Sequence, residues 1–272
     1  MKSRSTLAAP ERPTSGTVTV NGTTLYYERR GNGAPLLLVH GAGEDAGMLA
    51  DQAAGFAAVG YDVVTYDRRG TGASGREDWP EAGAAQHADD AHALLGALDL
   101  GPTTVVGLSS GGVIGLSLAE RHPETVARLI AWEPPAVGVV FGGAAMTAEV
   151  MAPIEAHLAE HPGDYIGAQA ILLTYVLGFP VTTDDPAFEP ARRNAESMIR
   201  DDPTITLQPF DAGSFVGRDI TLAIGDQPNG IVAAASDSLQ ALGDLKLVQV
   251  AARHNVYFED PRVLAGIVGE PR

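Results

Sequence analysis

The stretch TTVVGLSSGGVIGLSLAER at residues 103–121 decides the fold. Its first four residues are apolar or β-branched and predict a buried strand, and residues 113–121 predict a helix. Between them, GLSSG at residues 107–111 fits the pattern G-x-S-x-G. After a strand and before a helix, this pattern puts the middle serine at a sharp turn above the carboxyl edge of a sheet. We therefore predict Ser109 as a nucleophile.

Strands and helices alternate on both sides of this stretch. Continuous apolar runs such as residues 36–39 suit strands that are buried on both faces. The alternation predicts the α/β class, with a mostly parallel, doubly wound sheet and helices on both faces. Predicted strands lie at residues 36–39, 62–66, 103–106, 126–132, 220–224 and 246–250, and predicted helices at 48–59, 86–98, 113–121, 231–242 and 262–268.

A mostly helical block interrupts the alternation, with predicted helices over residues 144–160, 165–178 and 190–199. A helical block between two strands of such a sheet predicts an inserted lid, and additional core helices are the alternative. Before the sheet, Asn21-Gly22 separates two short runs of β-formers and predicts a hairpin. The predicted division is a flexible tail at residues 1–15, an α/β core at 16–137 and 216–272, and a lid at 138–215.

Composition limits the classes of partner. The chain has 18 Lys and Arg against 34 Asp and Glu, a net charge of −16. An acidic surface repels phosphate and anionic lipid, so we expect no nucleic acid and no membrane as partner. The absence of cysteine excludes disulfides and thiolate metal sites. Residues 1–10 lack an apolar leader, and no run approaches about 18 apolar residues, so a soluble cytoplasmic protein is expected.

A turn of small residues, HGAG at residues 40–43, follows the predicted strand 36–39. Such a turn can aim backbone N–H groups into the crevice at the strand ends. Acyl transfer needs two of these donors where the carbonyl oxygen becomes negative. We assign them to the backbone N–H groups of Ala42 and Ser110, which form an oxyanion hole. His40 is expected to orient the loop and not to act as a base.

A serine needs a neighbouring base to become nucleophilic at neutral pH. His254 follows the last predicted strand, whose carboxyl end lies at the same edge of the sheet as Ser109. The chain order, serine first and histidine last, also fits a catalytic pair of this type. We expect solvated or capping roles for the histidines on predicted helices and in the lid, which are His87, His92, His122, His157 and His161.

Together these segments resemble the α/β-hydrolase superfamily over nearly the whole chain outside residues 1–15 and the lid. The resemblance is carried by the HGAG turn, DRRGTGAS at residues 67–74, the GLSSG turn, and His254 followed by Glu259 and Pro261. It implies the α/β-hydrolase fold and a serine–histidine–acid triad that works without cofactor or metal. The fold itself does not set the substrate.

The resemblance leaves two candidates for the acid of the triad. The common position follows the strand after the lid, but GDQPNG stands there, with a proline at the usual place and Asp226 too early. The other position known in the superfamily ends the strand after the Ser109 helix, where Glu133 stands. A buried glutamate there would need a partner, and His254 would provide one. We favour Glu133 and keep Asp226 as the alternative; the Glu133 arrangement is similar to zearalenone-hydrolase-type lactonases.

The predicted function is that of a serine hydrolase that cleaves a neutral, apolar ester or lactone through an acyl-enzyme. The apolar residues of the lid indicate a pocket for such a small molecule, which is the expected partner. The expected substrate-binding residues are Gly41, Gly43, Trp132, Leu173, Leu177 and Tyr257.

Other functions remain open at this stage. A C–C bond hydrolase or a cofactor-free perhydrolase would use the same residues. A small-molecule receptor on a hydrolase scaffold, with slow or absent turnover, is a third alternative. An epoxide hydrolase or haloalkane dehalogenase is disfavoured, because those enzymes carry an aspartate where Ser109 stands. The sequence leaves the oligomeric state open, with a homodimer as one alternative.

Overall fold

The computed structural model describes residues 13–80, 83–243 and 245–271. Residues 1–12 of the predicted tail lie outside the described residues. The predicted tail extends two residues too far, because Thr14 and Ser15 pair with Arg29 and Glu28 in an antiparallel ladder. The hairpin around Asn21-Gly22 is therefore present and longer than predicted. Its added end is exposed, so backbone hydrogen bonds and not apolar burial extend it.

The sheet has eight strands: β1 (Thr14–Val20), β2 (Thr23–Arg30), β3 (Ala34–Val39), β4 (Tyr61–Tyr66), β5 (Thr103–Leu108), β6 (Val126–Trp132), β7 (Ile220–Ile224) and β8 (Lys246–Gln249). Their order is β1-β2-β4-β3-β5-β6-β7-β8. The pairs β1–β2 and β2–β4 are antiparallel, and the other pairs are parallel. The predicted α/β class with a mostly parallel sheet is confirmed.

The helices of the described residues flank this sheet. In chain order they are α1 (Ala50–Ala58), α2 (Gly83–Ala97), α3 (Ser110–Arg121), α4 (Gly143–Glu160), α5 (Tyr165–Leu177), α6 (Ala195–Arg200), α7 (Asp202–Thr206), α8 (Gly230–Gln240), α9 (Val256–Glu259) and α10 (Arg262–Val268). Short 3₁₀ segments lie at Ala46–Leu49, Val137–Val139 and Pro186–Asn194. None of the described helices combines the length and apolar character that a membrane crossing requires.

The central strands are buried on both faces, which explains their continuous apolar runs. In β3, Leu36 and Leu38 join one hydrophobic cluster, while Leu37 and Val39 join a second. Side chains alternate across a strand, so one run supplies the cores on both faces of the sheet. The parallel strands all end at one edge, and the loops that leave this edge carry the candidate site.

The block between β6 and β7 contains α4 to α7, and we call it the helical insert. Ile154, Ala168 and Ile199 form its own small core. The helix predicted over residues 190–199 is only partly right, since the chain is 3₁₀ over Pro186–Asn194 and α-helical only from α6. Pro190 lacks a backbone N–H and disfavours the α conformation in the residue before it, so an α-helix begins only after it.

Candidate active site

Ser109 occupies a strained turn between β5 and α3. Its backbone has φ 50° and ψ −121°, outside the regions that residues with a side chain favour. A Cβ at Gly107 would lie 2.3 Å from the carbonyl oxygen of Gly111, and one at Gly111 would lie 2.3 Å from that of Val39. The Ser109 N–H donates to the Trp132 carbonyl at 2.8 Å. The glycines therefore permit the close packing that fixes the serine at the sheet edge.

Glu133 and His254 meet at this edge. Glu133 directly follows β6 and has a left-handed backbone, with φ 43°. The His254 Nδ1–H donates to Glu133 Oε2 at 2.6 Å, a tautomer assigned from the carboxylate partner. The Glu133 side chain is 2% exposed and that of His254 is 18% exposed. Because Nδ1 is occupied, Nε2 is the nitrogen left to accept a proton.

The loop after β7 holds the other oxygen of Glu133. Glu133 Oε1 accepts the backbone N–H of Gly225 at 2.8 Å. A Cβ at Gly225 would lie 3.0 Å from that oxygen and 2.1 Å from the Ala252 carbonyl oxygen. The next residue, Asp226, has an exposed side chain. The structure thus brings Glu133, and not Asp226, to His254.

Trp132 does not line the cavity, which corrects its expected role in substrate binding. It is fully buried and belongs to the core cluster that contains Val106 and Val256. Its indole N–H donates to the His254 carbonyl at 2.8 Å. As the last residue of β6, Trp132 points from a face of the sheet into the helix layer and not over the edge. It supports the segment that carries the histidine.

The turn after β3 is held by His40. The His40 Nδ1–H donates to the Gly41 carbonyl at 2.8 Å, and Nε2 accepts the backbone N–H of Arg68 at 3.1 Å. Burial, assisted by the Arg68 guanidinium, holds the pKa of His40 well below its ordinary value. A neutral imidazole with a hydrogen bond at each ring nitrogen fits a structural role. Ala42 and Ser110 both line the cavity.

A buried ion pair that sequence reasoning missed supports the same turn. Arg68 Nη2 donates to the Gly41 carbonyl and to Asp202 Oδ1, each at 3.2 Å, and Nη1 lies 3.5 Å from Ser110 Oγ. Burial raises the pKa of Asp202, and the Arg68 charge opposes this. Arg68 lies in the DRRGTGAS string, but Asp202 comes from α7, and nothing in the sequence pairs the two.

Glu44 is a second buried carboxyl group at the cavity, also missed from the sequence. Its Oε2 accepts the Gly41 N–H at 2.8 Å, and its Oε1 accepts the Tyr257 hydroxyl at 2.7 Å. Burial raises the pKa of Glu44 to about 7, although both hydrogen bonds act in the opposite direction. Its position directly after the HGAG turn was the only available signal.

The site opens into a cavity of about 770 Å³ between the sheet edge and the helical insert. Ser109 and His254 both line it, as do the predicted contact residues Leu173, Leu177 and Tyr257. Further apolar lining comes from Met48, Pro135, Val150, Met151, Leu172, Val176 and Phe179.

The two glycines expected to bind substrate lie behind this lining. A Cβ at Gly41 would contact Ser109 Cβ at 3.2 Å, and one at Gly43 would contact Gln169 and Met198 at 3.1 Å and 3.2 Å. Both glycines are thus packed against neighbouring residues and are not part of the cavity lining.

The chain matches several curated proteins over part of its length. Uncharacterised hydrolase YraK of Bacillus subtilis (strain 168) is 43% identical over 136 residues, 50% of each chain. Zearalenone hydrolase of Bionectria ochroleuca is 30% identical over 138 residues, 50% of this chain and 48% of the relative. Rhodomycin D methylesterase DauP of Streptomyces sp. (strain C5) is 32% identical over 215 residues, 76% of this chain and 67% of the relative. The chain thus spans half or less of the length of several curated relatives.

Solved structures share the architecture. An inhibitor complex of Bacillus megaterium epoxide hydrolase has a TM-score of 0.72 at 20% identity, covering 93% of this chain and 98% of that one. A hydrolase from Pseudomonas aeruginosa PA01 has a TM-score of 0.71 at 23% identity, covering 93% and 96%. At these identities the likeness concerns the fold.

The sheet order and the strained serine turn at its carboxyl edge are those of the α/β-hydrolase fold. Residues 34–152 also match the family model of the alpha/beta hydrolase fold. The chain belongs to the alpha/beta hydrolase family, as the sequence resemblance predicted, and hydrolysis is the activity of its class.

Proposed function

We propose that this hydrolase uses Ser109 as nucleophile, His254 as general base and Glu133 as the acid that orients the base. The observation that carries the proposal is the 2.6 Å contact between Glu133 Oε2 and His254 Nδ1, at a cavity that Ser109 also lines. The Glu133 carboxylate fixes the tautomer that leaves Nε2 basic. It also stabilises the imidazolium that forms when His254 takes a proton.

In the proposed reaction, Ser109 Oγ attacks the carbonyl carbon of an ester or lactone while its proton passes to His254 Nε2. The tetrahedral intermediate collapses, and the leaving alkoxide takes that proton to become an alcohol, which departs from an ester and stays attached to the acyl chain of an opened lactone. Water then attacks the acyl-enzyme and gives a proton to His254, which passes it to Ser109 Oγ as the bond to the acyl carbon breaks and the acid is released. Each step needs the histidine to alternate between base and acid.

The negative oxygen of both intermediates would be stabilised by the backbone N–H groups of Ala42 and Ser110. Ser110 is the first residue of α3, where the helix dipole favours negative charge. The Arg68 contacts to the Gly41 carbonyl and to Ser110 Oγ support this assignment, because they hold both sides of the proposed hole.

The substrate that this cavity fits best is a bulky, neutral ester or lactone. The cavity volume of about 770 Å³ lies within the usual range for small-molecule sites, and side chains of the helical insert make much of the lining apolar. Two relatives bear the names zearalenone hydrolase and rhodomycin D methylesterase, which supports an ester- or lactone-cleaving function.

We assign the helical insert the role of a lid. It contributes the apolar wall opposite the sheet edge, so that it would exclude water from the acyl-enzyme. Tyr175, Phe179 and Phe258 line the cavity and are also partly exposed to solvent, which places them at its rim. An apolar rim favours entry of apolar substrates.

The proposal is tested by hydrolysis of p-nitrophenyl butyrate and of a medium-ring lactone, together with labelling by a fluorophosphonate. Ser109→Ala should lower kcat by at least about 10³-fold and abolish labelling, because the attacking oxygen is gone. Ser238→Ala, a serine on α8 outside the cavity lining, serves as the matched control. Circular dichroism checks that both variants fold. Hydrolysis or labelling that survives in Ser109→Ala would rule out this nucleophile.

A further inference from the structure

Glu44 connects two parts of the site that are far apart in the chain. It lies in the turn after β3, lines the cavity and is almost fully buried. One carboxyl oxygen accepts the N–H of Gly41, and the other accepts the hydroxyl of Tyr257, which stands three residues after His254. A single side chain therefore bonds the turn that carries Ala42 and the segment that carries His254.

This carboxyl group is also adjacent to the nucleophile. A Cβ at Gly41 would lie 3.2 Å from Ser109 Cβ and 3.3 Å from Glu44 Oε1. The Cα position of Gly41 thus lies beside both residues, and any side chain there would press on both. A shift of the Glu44 carboxyl group would displace the backbone of the turn at the point where it faces Ser109.

The ionised form of Glu44 suits both partners. A carboxylate accepts at both oxygens with full strength, whereas a neutral acid carries a proton on one oxygen, which becomes a donor and a weaker acceptor. The charged or titratable groups that act on Glu44 are Tyr257 and His254 from the segment after β8 and Arg68 from the turn after β4. Against them, burial raises the pKa of Glu44 to about 7, so its charge changes near neutral pH.

We propose that Glu44 is a positioning residue that holds the Gly41 turn and the Tyr257 side chain in one arrangement, and so sets the oxyanion donor of Ala42 relative to His254. The role rests on the proposed serine-hydrolase function. Because the oxyanion donors act most strongly in the transition state, loss of this link lowers kcat more than it changes KM.

The first test is the kinetics of Glu44→Gln with p-nitrophenyl butyrate at pH 8. Glutamine keeps the shape but offers one acceptor oxygen for two donors, so kcat should fall about 10- to 100-fold with KM within about threefold. The control is Glu124→Gln, a 67% exposed carboxylate beyond the far end of α3, whose kcat should equal that of the wild type. A wild-type kcat in Glu44→Gln, or a change in KM alone, overturns the proposal.

The pH profile of kcat/KM gives a signature that a purely structural role would not produce. On the acid side the wild-type profile should include a decline centred near pH 7, where Glu44 takes up a proton. In Glu44→Gln this part of the decline should be absent. Tyr257→Phe removes a donor that lowers the pKa of Glu44, so this decline should move to higher pH.

If Glu44→Gln does not fold, Tyr257→Phe tests the role of Glu44 alone, since a pH profile of Tyr257→Phe that is not shifted contradicts the proposal. The two proposals fail in different ways. If the wild type neither turns over an ester nor labels at Ser109, the serine-hydrolase function itself falls. If the wild type does both and Glu44→Gln behaves like it, only the role of Glu44 falls.

Discussion

The loops that follow β6 and β7 leave the same edge of the sheet, and each offers one carboxylate near the histidine segment. After β6, Glu133 is buried, has a left-handed backbone and contacts His254 at 2.6 Å. After β7, Asp226 is exposed, and its neighbour Gly225 contributes a backbone N–H to Glu133 at 2.8 Å.

The second loop thus supports Glu133, the proposed acid, and does not itself bring a carboxylate to His254. A carboxylate that orients a histidine has to be desolvated and held by further donors, or water competes for it. The β6 loop meets that need with a fixed turn, because the Glu133 N–H donates to the Ala223 carbonyl at 2.8 Å. Beyond Gly225, the β7 loop leads directly into α8, whose N-terminus Asn229 caps by accepting the Val232 N–H at 2.9 Å.

The largest effect should come from Glu133→Gln. The amide keeps the shape, but it can present an N–H to His254 and favour the wrong tautomer. We expect kcat to fall by about 10³- to 10⁴-fold with the fold intact. Steady-state hydrolysis of p-nitrophenyl butyrate with circular dichroism measures this. A loss below tenfold would show that the acid lies elsewhere.

The supporting role of the β7 loop is tested by Gly225→Ala. The new methyl group would lie 2.1 Å from the Ala252 carbonyl oxygen and 3.0 Å from Glu133 Oε1, so the loop must move. We expect about a 10- to 100-fold loss in kcat and about 1–3 kcal/mol of lost stability. Urea denaturation and kinetics measure the two effects, and Gly230→Ala, where a Cβ meets no atom within 4 Å, is the control. Wild-type kcat in Gly225→Ala would mean that this contact is not needed.

A third buried carboxyl group, Glu44, gives a prediction for stability. Its folded pKa of about 7 lies above the ordinary 4.5, so the stability it contributes is present below pH 4.5 and is lost as the pH rises through 7. Glutamine does not ionise, so between pH 5 and 8 the stability of Glu44→Gln should rise by about 2–3 kcal/mol relative to the wild type. Urea denaturation at both pH values checks this. If the stability difference between Glu44→Gln and the wild type is the same at pH 5 and pH 8, Glu44 keeps its ordinary pKa.

The smallest effect should come from Asp226→Asn. Its side chain is exposed and removed from the Glu133–His254 contact, so kcat and the urea midpoint should stay within about twofold and about 0.5 kcal/mol of the wild type. The same assays apply. A loss of kcat comparable to that of Glu133→Gln would restore the common position of the acid.

The fold could be predicted from the sequence because the central strands contain continuous apolar runs. A run such as residues 36–39 has few explanations other than a strand buried on both faces, and glycine and proline mark where most elements end. Two boundaries were predicted wrongly. The helix predicted over residues 190–199 is 3₁₀ up to Asn194, in a segment where Pro190 lacks a backbone donor. The strand β1 begins at Thr14, because backbone pairing extends it into exposed residues that carry no apolar signal.

The candidate site was predicted in part. Three of its residues, Ser109, Glu133 and His254, follow the ends of parallel strands, and the topology of the sheet brings all of these ends to one edge. Glu44 and Arg68 could not be assigned, because their partners Tyr257 and Asp202 are 213 and 134 residues away. Trp132 was placed wrongly in the pocket, since adjacency to Glu133 in sequence does not mean the same direction in space.

The most direct test of which acid orients the base is the NMR resonance of the His254 Nδ1 proton in ¹⁵N-histidine-labelled protein, assigned with His254→Gln. A proton shared with a carboxylate at 2.6 Å exchanges slowly and resonates far downfield. We predict this signal in the wild type and in Asp226→Asn, and its loss in Glu133→Gln. A signal that survives in Glu133→Gln and disappears in Asp226→Asn would contradict the assignment of Glu133.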